Sequence, residues 1–400
     1  MGRDYQPRVP QKRVVLFAYD GAGLGHLRRL SRIAAALQGP CACLVITGHR
    51  AADWIVPASC EYVHLPSLDS LLPHRSAIWG RTPFLRLDGA SAKRLRQNML
   101  EAMLSAFAPD ALIVDYLPFG KDDETLSFIQ STQIPVYFII RGILDSPKDV
   151  QDEILFEPGS LKRQLIESRF ARILVTCDRR ICDVDASYGF GPNLAPKIRY
   201  VGYVHKPVSA DVIARVRAAR GLREGDRWLV CTGGGGRKTE PLYRACLELV
   251  SSLPGNLHCD VIAGPRSAAA WPYPEMASFV EGRTRYWRAC QQLDVMHAAA
   301  DVVVAAGGYN TLMECLAGRA RVVCVPMEGN LIEPHEHSQR LSAYHPIRVT
   351  TLDQLLPTVQ SAIEGAADWR VSPAHPLALD GLAEIRKILF DDFGLPTAGA

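Results

Sequence analysis

The chain has 400 residues, of which 48% are hydrophobic and 22% charged, and it carries a net charge of +3. This length exceeds one compact core, so two domains are expected, and the composition excludes a disordered or fibrous chain. The charge is too small to point to nucleic acid or an anionic membrane as a partner.

The opening stretch, Met1 to Arg13, is polar and basic, and the apolar run after it, Val14 to Tyr19, is short. A signal peptide needs a longer apolar region and a membrane span about 20 residues, so a cytoplasmic protein is expected. Val14–Tyr19 reads as a buried strand, Leu27–Leu37 as a helix with apolar residues recurring at three and four, and Cys43–Thr47 as a second strand. Further strands are predicted at Ala111–Val114, Val136–Ile140, Arg172–Thr176 and Ile198–Val201. The pattern then restarts, with strands at Trp228–Cys231, His258–Ile262, Asp301–Val304 and Arg321–Val325 and a helix at Glu240–Leu253. Short apolar strands alternating with helices argue for parallel sheets covered on both faces. The expectation is an α/β chain of two doubly wound, Rossmann-like halves, residues 1–205 and 206–376, joined near Val204–Val208. Residues 377–400 form a tail with a helical apolar pattern at Leu382, Ile385, Ile388 and Leu389. The 11 cysteines lie mostly inside apolar runs and read as buried free thiols in a reducing compartment.

In open α/β sheets ligands bind at the carboxyl ends of strands, and here those ends are rich in glycine. The first such loop is Asp20-Gly21-Ala22-Gly23-Leu24-Gly25-His26. Its spacing is not the dinucleotide fingerprint, and no strand-ending acid follows about 20 residues on, which disfavours a nicotinamide enzyme. His26 stands where a helix should start, beside a cleft. It either caps the helix or acts as a general base, since its ordinary pKa of about 6.5 suits proton transfer near neutral pH. Asp115, directly after a strand at the same sheet edge, is a candidate to orient that imidazole; the alternative is a solvated loop carboxylate or a cap.

In the second half, the strand-ending run Thr232, Gly233, Gly234, Gly235, Gly236 is best explained by close approach of backbone to a ligand. Gly307, Gly308, Tyr309, Asn310 and Thr311 repeat the strand, glycine turn and helix start, where amides can bind a diphosphate. Glu314, one turn in, either accepts from ribose hydroxyls or complements the helix dipole. The segment Glu333–Arg340 holds two histidines among acids; polar contacts to a sugar are favoured there over a metal. No metal site and no cofactor are expected.

These stretches resemble GT-B glycosyltransferases, and in particular family 28, the MurG-like branch. The resemblance rests on Gly23–Arg29, Leu117–Gly120, Arg141–Pro147, Lys197–Tyr203, Thr232–Gly236 and Gly307–Thr311, and it spans about residues 13–370. It implies two domains facing across a cleft, with the acceptor held by the first, the nucleotide sugar by the second, and a C-terminal helix crossing back. It implies His26 as base assisted by Asp115, with Gly23, Gly25 and Arg141 on the acceptor side. On the donor side it implies Thr232–Gly236 and Gly307–Thr311 around the diphosphate, Glu314 on the ribose, and Glu336, His337 and Arg340 near the sugar. The chain departs from the family's usual Glu-Gln at Glu336-His337 and from its Arg-Asp at Arg141-Gly142. The expected activity is metal-independent, inverting glycosyl transfer from a nucleoside-diphosphate sugar, UDP-linked for preference, to a small natural-product acceptor. A nucleotide-sugar 2-epimerase or hydrolase, or a nucleotide-sugar-binding partner subunit, are the alternatives. Within Pro66–Arg96, Leu68, Leu71, Leu72, Ile78, Trp79 and Phe84 form either an acceptor pocket or a packed irregular loop. The nearby Arg81, Arg86, Lys93, Arg94 and Arg96 form either a patch for an acidic acceptor or a solvated helix face.

Overall fold

A computed structural model describes residues 12–20, 24–67, 85, 87–234, 239–253, 255–264, 282–327, 332–365, 369–371 and 375–396. Gly23, Gly235 and Gly236, together with most of the 66–96 segment including Leu68, Trp79, Phe84, Arg81 and Arg86, lie outside the described residues.

Two parallel sheets organise the chain. The first contains β1 (Lys12–Ala18), β2 (Cys41–Thr47), β3 (Glu61–His64), β4 (Ala111–Asp115), β5 (Val136–Ile140), β6 (Phe170–Val175) and β7 (Ile198–Tyr200), in the order β3-β2-β1-β4-β5-β6-β7. The second contains β8 (Arg227–Thr232), β9 (Leu257–Ile262), β10 (Thr284–Trp287), β11 (Val302–Ala305), β12 (Arg321–Cys324) and β13 (Ile347–Val349), in the order β10-β9-β8-β11-β12-β13. Central strands such as Val136–Ile140 and Val302–Ala305 are apolar and buried at every position, because helices cover both faces. The predicted strands are all present. Three edge strands, β3, β10 and β13, come in addition to them. They are short, and β3 and β10 are half exposed, so they lack the continuous apolar run that marks the interior ones.

Each sheet reverses its strand order once, between β1 and β4 in the first and between β8 and β11 in the second. The loops leaving neighbouring strands diverge at such a point and open a crevice. Six helices shape or brace the region around these crevices: α1 (Gly25–Leu37), α2 (Gly89–Phe107), α3 (Leu293–Ala299), α4 (Tyr309–Leu316), α5 (Ile332–Leu341) and α6 (Gly381–Phe393). The last of these returns to the first sheet. Its Ile385, Leu389 and Phe390 join the core of Val14, Leu16, Leu27 and Leu30, and Asp392 accepts from Tyr137 Oη at 3.1 Å and from Arg172 at 3.0 Å.

Asp20, just after β1, is held in a buried ion cluster. Arg96 of α2 is fully buried and donates to Asp20 at 3.0 Å, to Glu124 at 2.9 Å and to the Pro66 carbonyl. Asp20 also accepts from the Gly48 amide at 2.7 Å. Arg96 therefore does not belong to a ligand-facing basic patch: its charge is spent inside. Its neighbours Lys93 and Arg94 pair locally, with Asp122 and with Ser91. Removing one partner from such a cluster leaves uncompensated buried charge. Arg96→Met should therefore lower the unfolding free energy by about 3–5 kcal/mol, measured as an earlier loss of far-ultraviolet circular dichroism in urea.

Candidate active site in the interdomain cleft

A cleft of about 500 Å³ lies where the two reversal points face each other. From the first sheet's side it is lined by Tyr19, Gly25, His26, Arg28, Tyr116, Arg141 and Asp145, among others. From the second it is lined by Gly234, Gly308, Asn310, Thr311, Glu314 and Glu333, with an apolar end of Ile262, Gly264, Ala289, Cys290 and Leu293.

His26 occupies the first turn of α1 and is mostly buried, with 14% of its side chain exposed. The Tyr19 hydroxyl lies 3.0 Å from Nε2. Nδ1 lies 3.3 Å from Arg29 Nη2 and 3.5 Å from Asp115 Oδ1. Asp115, the last residue of β4, is held by Arg29 through two contacts, at 3.1 Å to Nε and 2.5 Å to Nη2. The carboxylate is thus supported by an arginine that sequence reasoning did not single out, and His26 shares it. The signal was present: Arg29 follows His26 by three residues, which places both on one face of a helix.

Burial lowers the His26 pKa below its ordinary value, with Asp115 opposing and Arg29 and Arg141 reinforcing the shift. For Asp115, burial pushes upward, but Arg29 and His26 outweigh it and hold the carboxyl below the usual range. The next residue, Tyr116, adopts a left-handed backbone conformation (φ 67°), which is rare for a bulky side chain and recurs at functional sites. That conformation turns its ring into the cleft, against His26 at 5.3 Å and under the Arg141 guanidinium at 4.9 Å, while its hydroxyl donates to Asp145. Arg141 bridges the cleft to Glu333 on α5, at 2.8 Å.

On the opposite wall, the first turn of α4 presents Gly308, Asn310 and Thr311. Gly307 is needed twice over. Its φ is +84°, and a Cβ there would lie 2.6 Å from Cys324 Sγ. Gly25 permits close approach of the walls, since a Cβ would meet Asn310 Nδ2 at 2.9 Å. Gly234 lines the cleft, whereas Thr232 is buried behind it and accepts from the Gly234 amide at 3.3 Å. Gly233 also sits behind, its amide donating to Tyr243 Oη at 3.2 Å.

Four candidates have surroundings that differ from those expected. Tyr309 turns its hydroxyl away from the α4 amides and donates to the Thr176 carbonyl at 2.6 Å, pinning one sheet's loop to the other's. His337 is buried, stacked on Tyr309 at 5.7 Å and 3.3 Å from Tyr203 Oη, so it lies behind the cleft wall. Glu336 and Arg340 pair with each other at 3.0 Å on the outer face of α5, and Arg340 reaches the Ile181 carbonyl. The α5 residues that do line the cleft are Glu333 and Pro334, one turn earlier.

Glu314 lines the cleft, but its carboxylate is already engaged. Oε1 accepts from Arg32 at 2.7 Å and lies 3.1 Å from Arg28 Nη2; Oε2 lies 2.9 Å from His297 Nδ1. Burial pushes its pKa upward, yet Arg28, His297 and Arg32 together hold it well below the usual carboxylate range. Among the described residues no group of three or more His, Cys, Asp or Glu could hold a metal ion. No described helix is long and apolar enough to cross a membrane. All 11 cysteines are unpaired, and all but the half-buried Cys290 are buried.

No family model and no curated protein sequence matches the chain. Solved structures do match along nearly its whole length. The glycotransferase of kitacinnamycin is 15% identical, with 97% of this chain and 100% of that one covered and a TM-score of 0.61. A Listeria monocytogenes protein assigned as a UDP-N-acetylglucosamine 2-epimerase is 13% identical, with 97% and 99% covered and a TM-score of 0.59. The spinosyn rhamnosyltransferase SpnG, in complex with thymidine diphosphate, is 12% identical, with 95% and 96% covered and a TM-score of 0.55. At such identities the likeness is one of fold: the chain has the two-sheet GT-B architecture that the sequence led one to expect.

The pairing around His26 has a measurable signature. A histidine whose folded pKa is depressed takes up a proton on unfolding, so its contribution to stability is lost as pH falls through the unfolded value of about 6.5. In a proton NMR titration His26 should titrate below 6.5 in the wild-type chain and move upward in Arg29→Met, which removes an opposing cation and leaves Asp115 to the imidazole. An unmoved resonance would show that Arg29 does not govern this ring.

Proposed function

We propose that the chain is a glycosyltransferase that moves a sugar from a nucleoside-diphosphate sugar to a small-molecule acceptor, with inversion and without a metal. The observation that carries this reading is the confrontation, across one cleft, of a supported histidine with the amide-bearing start of α4. A helix N-terminus favours a diphosphate by its unpaired N–H groups and its dipole. The apolar end at Ile262, Ala289, Cys290 and Leu293 suits the flat face of a nucleobase. Likeness of fold supports the same reading, since the spinosyn enzyme is complexed with thymidine diphosphate.

In this mechanism the acceptor hydroxyl replaces the Tyr19 phenol at His26 Nε2. For Nε2 to receive a proton, Nδ1 must carry its own and donate it toward Asp115 Oδ1. Arg29 keeps that carboxylate ionised and in place. The acceptor oxygen then attacks the anomeric carbon from the face opposite the nucleotide. The bond to the diphosphate oxygen breaks, and the growing negative charge is met by the amides around Asn310 and Thr311. Water-poor surroundings strengthen each of these interactions. Tyr116, Arg141 and Asp145 form the acceptor side, with Arg141 paired to Glu333 across the cleft. An aromatic pair, Tyr19 and Tyr116, with rings 6.1 Å apart, favours an acceptor with a flat apolar part, in keeping with a natural product.

A nucleotide-sugar 2-epimerase is the second reading, favoured by the Listeria likeness. The two differ in their need for an acceptor. On the transferase reading, nucleoside diphosphate accumulates from a nucleotide sugar only when acceptor extract is added; release or epimerisation without acceptor selects the other. A thermal-shift panel of nucleoside diphosphates and nucleotide sugars should raise the melting temperature for one base. His26→Ala should lower turnover about 10²–10⁴-fold while preserving that thermal shift.

A further inference from the structure

A pyrophosphate brings at least two negative charges into this cleft, and the wall it would rest on offers it no cation among the described residues. The second-sheet lining consists of glycines, apolar side chains, Tyr309, Asn310 and Thr311, and it adds two carboxylates, Glu314 and Glu333. A helix N-terminus supplies only about half a unit of positive charge. Among the described residues, the arginines lining the cleft are Arg28, Arg29 and Arg141, all from the first sheet's side. Arg29 is bound through two contacts to buried Asp115. Arg141 pairs with Glu333, which has no other cation within 3 Å among the ion pairs of the described residues.

Arg28 is placed differently. Its Nη2 lies 3.1 Å from Glu314 Oε1 and 3.8 Å from Asp294 Oδ1. Arg32, one turn further along α1, makes the same two pairings at 2.7 and 3.8 Å but does not line the cleft. His297 holds the other Glu314 oxygen. If Arg28 swings away, Glu314 keeps Arg32 and His297, so no carboxylate is orphaned. Arg28 is also the more exposed of the pair, with 21% of its side chain accessible against 11% for Arg32. Thr311 precedes Glu314 by three residues, which is about 4.5 Å of helix rise. A guanidinium now resting on Glu314 therefore needs to move by less than its own side-chain length to reach an anion seated on the first turn of α4.

We propose that Arg28, on the acceptor side of the cleft, binds the donor's pyrophosphate and meets the charge that develops on it as the sugar leaves. This rests on the nucleotide-sugar reading above and extends it. Arg32 and His297 hold Glu314 in place, and Arg28 exchanges its carboxylate partner for phosphate oxygens when the donor arrives. A planar guanidinium can give two parallel hydrogen bonds to a phosphate, which a lysine cannot. The first helix thus carries both the base that activates the acceptor and the cation that steadies the leaving group.

Calorimetric titration with uridine, UMP and UDP, and with thymidine, TMP and dTDP, separates base recognition from phosphate recognition. In wild type, affinity in one series should climb with each phosphate. Arg28→Gln should weaken the diphosphate by about 10–100-fold, the range for a hydrogen bond to a charged group, and change the nucleoside by less than about threefold. Arg28→Lys should fall between. Equal loss for nucleoside and diphosphate, or an unchanged diphosphate affinity in a variant with wild-type melting temperature, overturns the assignment. A wild-type chain that binds neither series overturns the donor reading itself, and this assignment with it.

Discussion

Charge buried between two apolar sheets persists only where an opposite charge meets it, and the first helix supplies most of that compensation here. From one helical face and its flank it sends Arg29 to Asp115 within its own half, and Arg28 and Arg32 to Glu314 and Asp294 in the other. Arg141 adds a second bridge, to Glu333. Desolvating such groups costs several kcal/mol apiece if they stay unpaired. The ionisation of the carboxylates follows from satisfying this requirement, whereas the low basicity of His26 comes first from its burial. The same pairs leave a cleft whose walls are close to neutral before any ligand enters.

The halves are held by more than ions. Tyr309, in the glycine-rich turn that opens α4, spans the gap to the Thr176 carbonyl and packs on Tyr203, His337 and Arg29. Apolar contact runs without a break from the first sheet through Tyr203 and Tyr309 into the second. The aromatic residue of this motif is thus a joint between walls, and its neighbours Gly308, Asn310 and Thr311 line the cleft beside it.

Much of this was readable from residue order because parallel sheets demand it. Buried central strands must be continuous apolar runs, and the loops at their carboxyl ends need glycine for tight turns, so β1, β4, β8 and β11 and the glycine-rich loops after β1, β8 and β11 stood out. His26 and Asp115 were legible for the same reason: each is a polar residue at the end of a buried strand or the start of the following helix. What escaped reading depends on distance in space. Arg29 stands three residues after His26, but that spacing does not show the carboxylate it binds 86 residues away, whereas the partner of Arg94 is a serine three residues away. Arg96 looked like surface charge until its two acids closed around it. The facing of α5 was also beyond pattern reading: a helix whose Pro334 lies near its start gives no periodic cue, and the cleft took Glu333 where His337 was expected.

The last helix has a consequence for biosynthesis. Ile385, Leu389 and Phe390 complete a core whose other members begin at Val14. During translation the ribosome releases the first half long before these residues exist. An apolar face on α1 and its neighbours therefore stays uncovered until synthesis has passed Phe390. Contacts of such long sequence separation form late and at high entropic cost. Nascent chains of this architecture are open to self-association or chaperone capture over that interval, and shortening the tail by a few turns would prolong it indefinitely.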